Sequence, residues 1–210
     1  MKILNLYAGI GGNRKLWGND HEITAVELRP EIAAIYQDFF PNDNVIVGDA
    51  HQYLLDHYRE FDFIWSSPPC QTHSRIRACG VWSGQTLAAY PDMKLWQEII
   101  LLSKFACCDW VIENVFPYYK PFLQPAFSIQ RHNFWSNKTI FAPKFERDRI
   151  KKLSASKLME KYGFDLTGYS LKGLNKRQIL CNCVNPELGL YVFNQITSTV
   201  EPQTSKRIEK

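Results

Sequence analysis

The chain has 210 residues, 45% of them hydrophobic, and a formal net charge of +4. That length allows one sizeable core and little beyond it, so one domain with a small appendage is expected. No apolar run approaches the ~18 to 20 residues that span a bilayer, and the start Met1-Lys2-Ile3-Leu4-Asn5 lacks a basic leader and cleavage pattern. A soluble, intracellular, cytoplasmic protein with no membrane partner is expected. The six cysteines (Cys70, Cys79, Cys107, Cys108, Cys181, Cys183) show neither a secreted disulfide framework nor a CxxC metal pair, so free thiols and no metal are expected.

In chain order, the apolar run Lys2-Ile3-Leu4-Asn5-Leu6-Tyr7 suits a buried strand bounded by glycines. Ile23-Thr24-Ala25-Val26-Glu27 reads as a second strand. Pro30 then suits the first turn of a helix through Phe39, with Ile32, Ile35 and Phe39 on one face. A third strand is predicted over 44–47, a helix over 50–58, and a fourth strand over 61–65, stopped by two prolines. Residues 72–90 mix Gly, Ser, Arg and Gln as a mobile loop would. Helical spacing returns over 92–105, with Leu95, Ile99, Leu102 and Phe105 in register, and a fifth strand follows at Trp110-Val111-Ile112. This alternation predicts an α/β fold, a mostly parallel sheet with helices on both faces and sites beyond the carboxyl ends of the strands.

After Pro117 the order changes. Asn133-Phe134-Trp135 and Thr139-Ile140-Phe141 flank Ser136-Asn137-Lys138, which suggests an antiparallel hairpin. Between Lys144 and Lys161 seven Lys or Arg stand against three Asp or Glu, a patch that could meet phosphates or simply be a solvated face. A loop with Gly163, Gly168, Tyr169 and Gly173 leads to an apolar helix over 186–196. The expected organisation is a main domain over 1–136, a small basic appendage over 137–176, a C-terminal segment over 177–200 and a flexible tail over 201–210.

The chemistry-bearing residues fall at strand ends. Tyr7-Ala8-Gly9-Ile10-Gly11-Gly12 follows the first strand, so its backbone can turn tightly and bring amides near a ligand at a helix start. Glu27 ends the second strand, where a ribose hydroxyl pair would be held. Asp49, in Val47-Gly48-Asp49-Ala50, ends the third strand, placed for an adenine amino group or for capping the next helix. Ser66-Ser67-Pro68-Pro69-Cys70-Gln71 ends the fourth. Its prolines fix the backbone and hold the thiol over the sheet edge, as a poised nucleophile requires. Glu113, in Trp110-Val111-Ile112-Glu113-Asn114-Val115, ends the fifth within plausible reach of Cys70; as a lone residue it would read as a capping or salt-bridged glutamate.

These motifs in this order resemble the DNA cytosine-5 methyltransferase family, and Gln178 to Pro186 with Asn182-Cys183-Val184 is similar to the family's last motif. The resemblance runs from Leu4 to about Phe193, and it implies a catalytic and cofactor-binding domain over 1–136, a reduced target-recognition region over 137–176 and a segment over 177–200 that returns to the catalytic domain. It implies a Rossmann-like fold that uses S-adenosyl-L-methionine, held by Tyr7, Ala8, Gly9, Ile10, Gly11, Gly12, Glu27, Leu28, Asp49, Ala50, Pro69, Asn182 and Val184. It implies that Cys70 adds to carbon 6 of a cytosine flipped out of double-stranded DNA while Glu113 protonates or hydrogen-bonds ring nitrogen 3. It also implies a loop after the nucleophile that closes on DNA, with Ser74, Arg75, Arg77 and Gln85 as candidate contacts.

Two departures stand out. The family's hairpin motif Gln-x-Arg-x-Arg is here Gln130-Arg131-His132-Asn133, leaving Arg131 to hold the cytosine oxygen, and the recognition region is only 40 residues long. Specificity could therefore be short or depend on an accessory protein; a cognate restriction enzyme and a prokaryotic or phage origin are also compatible. An exocyclic-amino DNA methyltransferase, whose motif ends in an aromatic residue instead of Cys70, and a catalytically silent DNA-binding protein of the same fold are the alternatives. RNA is open as a substrate because the motifs report the base and not the sugar.

Overall fold

The structure is a computed structural model that describes residues 1–140, 145–146, 150–171 and 173–198. Five strands, β1 (Lys2–Leu6), β2 (Glu22–Glu27), β3 (Asn44–Val47), β4 (Phe63–Ser66) and β5 (Asp109–Val115), pair in parallel. β6 (Phe127–Ile129) and β7 (His132–Ser136) form an antiparallel hairpin, and β7 pairs with β5. The sheet order is β3-β2-β1-β4-β5-β7-β6. The order reverses between β1 and β4, so the loops leaving these two neighbours diverge and open a crevice at their carboxyl ends.

Helices α1 (Pro30–Phe39), α2 (Ala50–His57), α3 (Arg75–Trp82) and α4 (Lys94–Phe105) fall between the parallel strands, and α5 (Ala155–Tyr162), α6 (Lys176–Asn182) and α7 (Pro186–Thr197) follow the hairpin. The period-2 alternation of the strands divides the core. Leu4, Leu6, Ile64 and Ile112 pack on one face with Leu54 of α2 and Leu95, Ile99 and Leu102 of α4. Ile3, Phe63, Trp65 and Val111 pack on the other with Leu188, Val192, Phe193 and Ile196 of α7. Each such side chain contributes about 1.5–3 kcal/mol when fully buried. Ile150, Leu158, Tyr162, Phe164, Leu166 and Leu180 share a third cluster with Ile10 of the glycine loop and Ile32 and Ile35 of α1. The described part of the basic region thus rests on the glycine-loop side of the sheet.

Three sequence expectations are corrected. No α-helix starts after the glycine loop: residues 12–16 are turns, held by side chains. Arg14 clasps Asp43 through Nε and Nη2 at 2.9 and 3.1 Å, and Asn13 donates to Asn5 at 2.7 Å. The hairpin lies one strand earlier than predicted and turns at Gln130, whose φ is +55°. A left-handed turn without glycine leaves no sequence signal. Asn137 and Lys138 instead close the start of β5: Asn137 Oδ1 accepts from the Trp110 amide at 3.2 Å, and Lys138 pairs with Asp109 at 2.7 Å. Thr139 and Ile140 lie outside any strand, while Phe141 lies outside the described residues. The stretch after Cys70 contains α3, capped by Ser74, whose hydroxyl accepts from the Arg77 amide. Only Ala78 of α3 is buried, so the helix has no apolar stripe for periodicity to reveal.

The expected tail over 201–210 and part of the basic patch lie outside the described residues. Among the described residues no helix is long and apolar enough to cross a membrane, and no group of three or more His, Cys, Asp or Glu could hold a metal ion.

Candidate active site

The glycine loop leaves β1 with Tyr7, Gly9 and Gly11 in the left-handed region, at φ +55°, +56° and +83°. At Gly11 a Cβ would stand 2.3 Å from the Phe40 ring, and at Gly12 it would stand 2.6 Å from the Val184 carbonyl oxygen. Both positions therefore exclude a side chain for reasons of packing. Gly9 is different. Nothing lies within 4 Å of where its Cβ would be, so its backbone borders open space that a ligand can enter.

Glu27, at the end of β2, accepts from the Gly9 amide at 3.0 Å with one oxygen and from the Arg29 amide at 3.0 Å with the other. Asp49, after β3, caps α2 by accepting from the His51 and Gln52 amides and pairs with Lys94 of α4 at 3.0 Å. The Lys94 bond first, then the capping amides, hold its carboxyl below the usual range. Asp49 is therefore the helix cap the sequence allowed and is also half-exposed at the same sheet edge. Ala8, Ile10 and Ala50 are buried beneath the edge, whereas Leu28 is 67% exposed. Two carboxylates and the open side of Gly9, all on adjacent strand ends, suit a nucleoside with hydroxyl and amino groups to bind.

The Pro-Pro-Cys loop leaves β4 beside them. Pro68 is buried, Pro69 exposed and Cys70 half-buried. The buried Asn114 of β5 donates to the Pro68 carbonyl at 2.9 Å, which fixes the Pro-Pro-Cys turn to the strand carrying Glu113. The Cys70 carbonyl accepts from the His73 and Ser74 amides, closing the turn that leads to α3. Burial first, then the Glu113 carboxylate, raises the Cys70 thiol above its ordinary range, and Arg131 opposes them.

Glu113 is buried, and burial pushes its carboxyl up to about 7 against the opposing effects of the Ser67 hydroxyl and Arg131. Ser67 also accepts from Trp65 Nε1 at 2.9 Å, which leaves its own proton for Glu113. His132 Nε2 lies 3.3 Å from Glu113. Burial, with Arg131 beside it, lowers His132 to about 3, so at neutral pH this is a contact with a neutral imidazole and not an ion pair. Arg131 sits in the hairpin turn after Gln130, donates from Nη2 to the Cys181 carbonyl at 3.2 Å, and keeps a buried Nε with no hydrogen-bond partner.

Asn182 ends α6 and is exposed, while Val184 is buried with its backbone against Gly12. On the outer side of Cys70, Arg75 and Gln85 are exposed. Ser74 serves as the cap of α3 and Arg77 donates to the Leu87 carbonyl at 2.8 Å. Trp82 and Tyr90, 76% and 96% exposed, flank them. Sequence reasoning missed Ser67, the Asn114 tether and the neutral His132, because each acts through a cross-strand contact that no local pattern encodes.

The family model described as C-5 cytosine-specific DNA methylase matches residues 1–116. A tRNA (cytosine(38)-C(5))-methyltransferase of Spodoptera frugiperda is 36% identical over 80 residues, 35% of this chain and 24% of the relative. The chain thus matches about a quarter of that relative's length. The structure of an Entamoeba histolytica methyltransferase aligns over 96% of this chain and 99% of its own, at 9% identity and a TM-score of 0.54, and supports the shared fold. The fold is that of S-adenosyl-L-methionine-dependent methyltransferases, and S-adenosyl-L-methionine is the cofactor. The chain belongs to the C-5 cytosine-specific DNA methylase family.

Proposed function

We propose that this chain methylates carbon 5 of a flipped-out cytosine in double-stranded DNA, with Cys70 as the nucleophile. The observation that carries the reading is the bond from Asn114 to Pro68, which ties the Cys70 turn to the strand bearing Glu113, a carboxyl raised to about 7. Cofactor-binding falls to the backbone of residues 7–12, with Ala50, Pro69, Asn182 and Val184 around it, Glu27 and Leu28 at the ribose edge, and Asp49 at the adenine. S-adenosyl-L-methionine supplies an electrophilic methyl group on a sulfonium.

The Cys70 thiolate forms a bond to carbon 6, and electron density moves from the carbon 5–carbon 6 double bond toward the ring. Glu113, protonated near neutral pH, gives its proton to ring nitrogen 3 or shares it there, so the charge from thiolate addition is held. Arg131 Nε is a donor left over for the cytosine oxygen. Carbon 5 then takes the methyl group as the carbon–sulfur bond breaks and leaves a neutral thioether, and ring nitrogen 3 returns its proton to Glu113. A base removes the carbon 5 proton, and the returning electron pair expels Cys70 and restores the double bond.

The base reaches Cys70 only outside the stack. Arg75 and Arg77 suit phosphate, while Trp82, Tyr90 and Gln85 offer surface for unstacked bases. A second reading, RNA as substrate, is favoured by the likeness to a tRNA methyltransferase over 80 residues. Incubation with tritiated S-adenosyl-L-methionine and either duplex DNA or RNA, followed by base-resolved sequencing, separates them. Label at cytosine carbon 5 of DNA is expected, lost in Cys70→Ser, with a Cys70 adduct trapped on 5-fluorocytosine. Label only in RNA moves the reading to the second substrate. Methylated adenine or exocyclic nitrogen, or full activity of Cys70→Ser, overturns both.

A further inference from the structure

Glu98 of α4 is a buried acid that the proposed chemistry does not use. It is 1% exposed and sits among Leu95, Trp96, Ile99 and Leu102, where an apolar side chain would pack without desolvating a charge. Its carboxyl instead gathers three partners from three elements. One oxygen accepts from Tyr7 Oη at 2.6 Å and meets His51 Nδ1 at 2.9 Å; the other accepts from Ser66 Oγ at 2.7 Å. Tyr7 opens the glycine loop, His51 follows the Asp49 cap on α2, and Ser66 ends β4 four residues before Cys70.

Tyr7 is also a non-glycine residue at φ +55°, a conformation that persists only when its surroundings hold it there. The Glu98 bond is the side-chain tether that does so. On the reading of the glycine loop as the cofactor site, we infer that Glu98 is a positioning residue: it locks the cofactor loop, the start of α2 and the nucleophile strand into one geometry. The same helix reaches that edge a second time through Lys94 and Asp49, so α4 spans both ends of the proposed cofactor site.

The test compares wild type, Glu98→Gln, Tyr7→Phe and the double variant, with no nucleic acid present. Two quantities are measured: S-adenosyl-L-methionine binding by calorimetry, and amide hydrogen exchange over residues 7–12 without cofactor. Each single change is expected to weaken binding about tenfold, the usual scale for disrupting one buried hydrogen-bonding group. Each should also speed exchange in the loop, and the double variant should lose less than the two singles multiplied together. Tyr7→Phe removes one hydroxyl, so it keeps the comparison available if Glu98→Gln does not fold. Folded variants with wild-type affinity and wild-type loop exchange, or losses that multiply independently, overturn the inference. If wild type binds no S-adenosyl-L-methionine, the cofactor reading fails separately, and loop exchange still decides the role of Glu98.

Discussion

The Cys70 thiol responds to the charge on Glu113: the carboxylate raises it, while Arg131 opposes that effect. A proton on Glu113 removes the repulsion, as the proposed attack by the thiolate requires. Glu113→Gln is therefore expected to shift the pH midpoint of Cys70 alkylation by iodoacetamide downward, and an unchanged or higher midpoint would contradict the coupling. At this scale the sequence displayed the two groups proposed to react, because Pro-Pro-Cys and Glu-Asn-Val are local strings. It could not display Ser67 or His132 as the neighbours of Glu113, since a side chain's burial and its partner across a sheet depend on pairing.

Strands and helices were legible where each carried its own pattern. β1 to β5 show as apolar runs, and α1 and α7 show through their prolines and spacing. The hairpin and α3 were not legible, one turning on a left-handed Gln130 and the other burying only Ala78. The return of the C-terminal segment is enforced by close packing: Gly12 meets the Val184 carbonyl oxygen and Cys183 Cβ at 2.6 and 2.7 Å from a prospective Cβ. Gly12→Ala must displace backbone and is expected to cost about 1–3 kcal/mol of unfolding free energy, measured by urea denaturation. A loss below the error of that measurement would show that the segment yields without strain.

The whole molecule carries the pH dependence of these buried groups. Glu113 has a folded value of about 7 against 4.5 when exposed, so the folded chain holds this proton more tightly. Its contribution is fully present below about pH 4.5 and is lost as pH rises through 7. His132, lowered to about 3, acts in the opposite direction: its contribution is present above 6.5 and is lost as pH falls. Because Glu113→Gln keeps His132, the wild-type minus variant difference in unfolding free energy isolates the carboxyl. That difference should fall by about 3 kcal/mol between pH 4.5 and 7; a flat difference in urea titrations would mean that Glu113 is not held in a desolvated site. The sequence by itself determined the parallel α/β order, the strand-end motifs and Cys70 as the nucleophile candidate, because periodicity, prolines and glycines act over a few residues. Only the tertiary structure decided that Asn114 ties the Cys70 turn to the Glu113 strand, that burial brings Glu113 to about 7 and that Glu98 joins three elements. Desolvation and hydrogen bonds between distant residues arise only when the sheet assembles.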